Sequence, residues 1–256
     1  MTPVLYLPHG AGPLPLLDDP SQSTLSTFLK TIPAHLGNPT AVLVISAHWE
    51  EKQPTLTGSK TPQLIYDYYG FEPRAYTLEY KAQGAPDLAK KVEKYLHVKD
   101  IQAHIDETRG FDHGVFVPLK LMYPQAHLPI VQLSLVKSLS PSLHIHMGEA
   151  LRPLRQEGVL IIGSGLSFHN MRAYGLPTIQ GEAFDCWLQK TLLESDYETA
   201  KQKLITWENA PQARYAHPRE EHLLPLHVCF GASTQGAKLA FSDSFMGAKV
   251  SAFLWE

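Results

Sequence analysis

The sequence predicts a three-layer α/β domain, a central mixed sheet with helices on both faces. Three observations carry that expectation. Short apolar runs alternate along the chain with segments of helical period. Several of the runs are apolar on both faces, as strands covered on two sides must be. No internal repeat or low-complexity linker divides the 256 residues, a length sufficient for one sizeable core, so a single domain over 1–256 is expected.

The elements follow in chain order. A strand over 4–7 stops at "LPHGAGPLP", where Gly10, Gly12, Pro13 and Pro15 disallow either regular form. A helix over 21–30 leads to the strand "AVLVIS" at 41–46. Residues 61–84 carry Tyr66, Tyr68, Tyr69, Phe71, Tyr76 and Tyr80 without any period. A long loop of this kind either serves a site or packs on its own side chains. Helices are expected over 86–96 and 141–158, each opened by a proline, the second stopped by Gly158. An apolar helix-like run covers 115–122, and strands follow at 130–135 ("IVQLSL") and 159–163 ("VLIIG"). Helices over 181–194 and 222–231 precede two last strands, 238–242 and 250–255.

Charge and cysteine content exclude several functions. Lys and Arg number 22 against 25 Asp and Glu, with no basic run, which argues against a nucleic-acid partner. Cys186 and Cys229 are too few for a disulfide framework, and their apolar helical settings predict buried free thiols, hence a reducing, cytoplasmic address. No export signal and no membrane span is expected from the hydropathy.

Histidine is the unusual residue, with 13 copies. His9 and His48 each lie at the end of an apolar run, and His169 follows a third, where open α/β sheets place their ligand crevice. His113 stands between glycines in "GFDHGV", and His222 opens a helix beside Glu220 and Glu221. A metal accounts for such a set better than a Ser/His/Asp site, which needs one histidine and a recognisable nucleophile. G-x-S-x-G, H-E-x-x-H and Cys-x-x-Cys are all absent, so spacing alone names no metal. The other eight read as structural or solvated: His144 and His146 are two apart on a helix and cannot chelate together, while His35, His97, His104 and His127 fall in polar contexts. His217 and His227 are excluded as ligands.

Taken in order, "HG" after the first strand, "SAHW", "LIYDYYGF", "GAPDLA", "GFDHGVFVPLKLMYP", "PIVQLSL", "GSGLSFHN" and "EEHLLPLHVCFGA" resemble the class III extradiol ring-cleaving dioxygenases, in particular the 4,5-DOPA dioxygenase extradiol-like branch. The resemblance runs from Val4 to the C-terminus. It implies a single catalytic domain with one divalent metal, Fe(II) for activity, with Zn(II) fitting the same donors, held by His9, His48 and His222. It implies His113 as acid/base and His169 as a second catalytic residue and potential fourth ligand. Two departures stand out: "HGAGP" replaces the usual "HGSP", and the wider class uses a glutamate as third ligand, so Glu221 beside His222 leaves that position open. The implied partners are a small catechol and O2, with Trp49, Tyr66, Tyr69 and Tyr80 as the pocket wall. The protein is expected to be a monomer or homodimer. A zinc-dependent hydrolase and a non-catalytic binding protein would use the same histidines, and oxygen uptake separates them.

Overall fold

The computed structural model describes residues 1–175 and 179–256. The strands are β1 (Val4–Pro8), β2 (Ala41–Glu51), β3 (Thr55–Thr57), β4 (His104–Asp106), β5 (Ile130–Val136), β6 (Val159–Gly165), β7 (Lys238–Phe245) and β8 (Ala248–Trp255). They form one sheet in the order β4-β3-β5-β2-β6-β1-β8-β7. β1, β6, β2 and β5 are mutually parallel, with Val4 opposite Ile161 and Val42 opposite Leu160. β3, β8 and β7 add antiparallel pairings, so the sheet is mixed, as expected. β1, β5 and β6 are buried along their whole length.

The helices are α1 (Ser23–Thr31), α2 (Pro86–His97), α3 (His113–Met122), α4 (Pro141–Leu151), α5 (Ile179–Glu194), α6 (Tyr197–Ile205), α7 (Ala213–Ala216) and α8 (Leu224–Gly231). Two neighbouring residues of β6 show that they cover both faces. A Cβ on Gly163 would lie 2.6 Å from Cys229 Sγ on α8. The next side chain, Ser164, points the other way and donates to the Gly114 carbonyl of α3. Strand alternation therefore puts α8 and α3 on opposite sides.

Several boundaries differ from expectation, each for a local reason. The segment 141–158 is α-helical only to Leu151, because Pro153 lacks an amide hydrogen; tighter turns continue to Glu157, and Gly158 ends them at φ +81°. Likewise α8 begins at Leu224, with Pro225 in its first turn, which leaves His222 in the preceding turn rather than on the helix. β3 and β4, three residues each, are too short to display alternation and add to the strands expected from the sequence. Cys229 is buried as expected, but Cys186 is exposed, since α5 turns Phe184, Asp185 and Leu188 inward and residue 186 outward.

His144 is a structural histidine of α4. Its Nε2 accepts from the Val136 amide at 3.2 Å, and its Nδ1 donates to the Ser140 carbonyl at 2.7 Å. Accepting at Nε2 requires the neutral ring, and burial pushes its pKa down to about 4 against the Ser140 hydrogen bond, which favours the charged form. Below about pH 6.5 the unfolded chain takes up a proton that this pocket refuses, so stability falls as pH falls toward 4. The contribution amounts to roughly 2 kcal/mol by pH 5. Urea unfolding at pH 7 and pH 5 should therefore show a shallower pH loss for His144→Gln than for the natural chain; equal losses would contradict this account.

Candidate active site

Because β1, β2 and β6 are parallel, their carboxyl ends share one edge of the sheet. His9 follows β1 directly, and its amide donates to the Gly165 carbonyl at 3.2 Å. His48 sits inside β2, where the pairing with β5 breaks between Ile45 and Glu50; its amide donates to Ser46 Oγ at 3.2 Å. His113 is the first residue of α3. His169 follows β6, tied by its amide to the Ala216 carbonyl at 2.9 Å. The His222 carbonyl accepts from the Leu166 amide (3.1 Å) and the Tyr6 hydroxyl (3.0 Å). That approach requires Gly165, where a Cβ would stand 2.1 Å from the same carbonyl oxygen.

All five imidazoles converge. Ring centroids of His9 lie 4.8 Å from His48 and 5.3 Å from both His113 and His222. His48 is 3.9 Å from His113 and 4.9 Å from His222, and His169 stacks on His222 at 3.4 Å.

Oxygen partners fix which nitrogen His9, His113, His169 and His222 present. Ser164 Oγ donates to the Gly114 carbonyl, so toward His9 Nδ1, 3.0 Å away, it accepts. That assigns the proton of His9 to Nδ1 and leaves Nε2 as the lone pair. Gly114 O is available because its helical partner would be the amide of Pro118, which has none. Asp67 Oδ1 accepts from both the backbone amide (3.0 Å) and Nδ1 (2.8 Å) of His113. Glu221 Oε1 accepts Nδ1 of His222 at 2.9 Å and pairs with Nδ1 of His169 at 3.1 Å. Nε2 of His9 and Nε2 of His48 face each other at 3.1 Å.

Burial sets the charge state. It pushes the pKa of His9 and of His48 well below the imidazole range, with the neighbouring histidines adding to the shift. Burial also lowers His222, to about 4, against the opposing hydrogen bond to Glu221. Burial alone would raise the Asp67 and Glu221 carboxyls; hydrogen bonds from His113, and from His169 and His222, outweigh it and hold both low. The centre thus combines neutral rings at His9, His48 and His222 with the ionised carboxylates of Asp67 and Glu221.

This donor set fits a divalent metal. Two nitrogens about 2.0–2.1 Å from one ion lie about 3 Å apart when they occupy adjacent positions, the spacing found between His9 and His48. Carboxylates and a hydroxyl on the far nitrogens are the usual way a protein aims such ligands. Among the described residues, two groups place their potential ligand atoms within 4.8 Å of one another: His9, His48 and His113, and His169, Glu221 and His222. The trio expected from the sequence is divided between them, because Glu221 draws His222 alongside His169.

The rings open onto a cavity of about 460 Å³ lined also by Tyr68, Tyr69, Phe71, Tyr174 and Phe245. Of the four expected wall residues only Tyr69 lines it. Trp49 alternates to the other side of β2 from His48 and lies buried under the Arg109 guanidinium, 4.6 Å from its ring centre. The hydroxyls of Tyr66 and Tyr80 donate inward to the carbonyls of Leu78 (2.6 Å) and Tyr123 (3.2 Å). Much of the aromatic loop therefore packs on itself.

Asp67 joins the site in addition to the residues expected from the sequence. Its signal was present, as the one acid inside the tyrosine run "LIYDYYGF". Asp112 is a second addition: it is fully buried, accepts from Ser46 Oγ at 2.7 Å and from Gln132, and so anchors the strand beside His48. His217 and His227 are buried away from the cluster on backbone carbonyls, Nε2 of His217 at 2.9 Å from Ser167 O and Nε2 of His227 at 2.9 Å from Leu204 O.

Residues 3–252 match the model of the catalytic LigB subunit of aromatic ring-opening dioxygenase. The chain belongs to that family. Among its relatives, a dioxygenase named tasH from Hapsidospora irregularis is 38% identical, over 100% of this chain and 86% of its own. A 4,5-DOPA dioxygenase extradiol from Beta vulgaris is 40% identical, over 91% of this chain and 87% of its own. A crystal structure of an uncharacterized Escherichia coli K12 protein superimposes with a TM-score of 0.82 at 27% identity, covering both chains completely. This LigB-family chain is thus class III extradiol-dioxygenase-like in sequence and shares its three-layer fold with that solved structure. Among the described residues, no helix is long and apolar enough to cross a membrane.

The Ser164 hydroxyl gives the site its first test. In Ser164→Ala, His9 Nδ1 loses its acceptor and the tautomer is no longer fixed. Divalent-metal affinity, measured by chelator competition, should drop about 10–100-fold with the circular dichroism spectrum unchanged. Unaltered affinity would show that the hydroxyl does not aim the ring.

Proposed function

We propose that this chain, acting as one catalytic domain over 1–256, opens the ring of a small catechol by extradiol cleavage with O2, giving a ring-opened semialdehyde. The observation that carries the reading is the gathering of five imidazoles beside one cavity, with the Nε2 atoms of His9 and His48 3.1 Å apart. Relatives named for DOPA cleavage support the substrate class, of which DOPA is a member.

His9, His48 and His222 would hold the ion, with His169 beside it as a potential fourth donor. Three neutral donors leave room for a bidentate diolate and dioxygen. When bound, Fe(II) supplies the one-electron chemistry that dioxygen needs and that Zn(II), though suited to the same donors, lacks.

His113 is the proposed acid/base. Its Nδ1 is anchored on Asp67 at 2.8 Å, which directs Nε2 at the cavity and offsets the charge that a second proton brings. The ring can take a proton from a catechol hydroxyl and return it to the opened product. Such help is worth roughly 10²–10⁴-fold. His169, held by Glu221 at 3.1 Å, is placed to steady the substrate oxygens.

Oxygen-electrode assays of anaerobically Fe(II)-reconstituted protein with a catechol panel, DOPA included, test the reading; a yellow product is expected. His113→Ala should retain metal and lose at least about 100-fold in turnover, while His48→Ala should lose the metal. Retention of stoichiometric iron by His48→Ala contradicts the ligand assignment. Loss of metal by His113→Ala together with its retention by His222→Ala would make His113 the third ligand.

A further inference from the structure

We infer that the catechol taken by this site carries an uncharged, apolar substituent, an inference that rests on the ring-cleavage reading above. The cavity has two unlike sides. One is the imidazole floor with Asp67. The other is the apolar part of the lining, which includes Leu14, Phe71, Leu166, Tyr174, Phe245 and Met246. No lysine or arginine is found among the described residues that line it.

A ring seated with its hydroxyls on the imidazole side presents its far edge to the apolar wall. At about 460 Å³ the cavity accommodates more than a bare catechol ring. An alkyl or aryl group there exchanges water for apolar contact. A carboxylate there gives up its hydration with no cation to replace it. The acidic side chain of the imidazole floor, Asp67, repels an anion and has its Oδ1 committed to the amide and Nδ1 of His113. Two guanidinium groups, of Arg172 and Arg219, line a neighbouring groove that shares His169 and Met171 with the cavity. There Arg219 is held by both oxygens of Glu50 at 2.6 Å, so Arg172 is the groove's other cation.

The test compares five catechols on the Fe(II)-loaded protein: 4-propylcatechol, 3-(3,4-dihydroxyphenyl)propanoate, its methyl ester, DOPA and dopamine. Binding is measured by calorimetry under argon and kcat/KM by oxygen uptake. The propyl and ester compounds should exceed the acid, DOPA and dopamine by about 10–100-fold in both readouts. Met171→Arg, a change at an exposed rim position, should raise the acid about fivefold relative to the ester. Equal or better performance by the acid, DOPA or dopamine overturns the inference, and loss of that advantage in Arg172→Gln would place the charge reader in the neighbouring groove. If the neutral compounds bind best yet no catechol consumes oxygen, the ring-cleavage reading falls while the substituent preference stands. If none of the five binds, both fall.

Discussion

Pro118 has no amide hydrogen, so the carbonyl of Gly114, one turn earlier on α3, is left for an outside donor. Ser164 of β6 fills that role, and by donating there it must accept from His9. One missing backbone donor thus couples a helix, the central strand and the ring that follows β1. The orientation of His9, and with it the close facing of its Nε2 on that of His48, follows from this relay. Had residue 118 an amide hydrogen, the hydroxyl of Ser164 would be free to turn toward His9 as a donor, and the opposite tautomer would be equally satisfied.

Collecting five imidazoles in a buried space is otherwise unfavourable. Burial and mutual proximity oppose their protonation, and His9, His48 and His222 are all shifted downward accordingly. Two carboxylates, one at each side, supply the compensating acceptors: Asp67 for His113 and Glu221 for His169 and His222. The backbone must come unusually close for this to work. Gly165 admits the His222 carbonyl, and Gly114, where a Cβ would lie 2.4 Å from Ser46 Oγ, lets α3 settle against β2. Small residues and a helix proline therefore place the chemistry as much as the histidines do.

The layered fold was legible because its central strands are buried on both faces and read as unbroken apolar runs. β3 and β4 were not, since three residues carry no period and their pairing depends on partners distant in sequence. In the site, the histidines at strand ends could be singled out by position, and their grouping came from the ordered motifs. The wall could not be read: Trp49 and His48 are adjacent in sequence yet face opposite sides, and Tyr66 and Tyr80 turn inward to backbone carbonyls while Tyr69 faces out. An aperiodic aromatic loop leaves no pattern from which those directions follow.

By itself the sequence determined the alternation of elements, the apolar strands followed by His9, His48 and His169, and the family to which the chain belongs. These depend on local composition and on motif order, which the chain displays directly. Tertiary structure alone decided which nitrogen His9, His113, His169 and His222 present, that Asp67 and Glu221 partner the last three, and that part of the cavity lining is apolar. Tautomers, second partners and cavity walls arise from atoms brought together across more than a hundred residues of chain, such as Ser164 on His9, and no local pattern encodes such meetings.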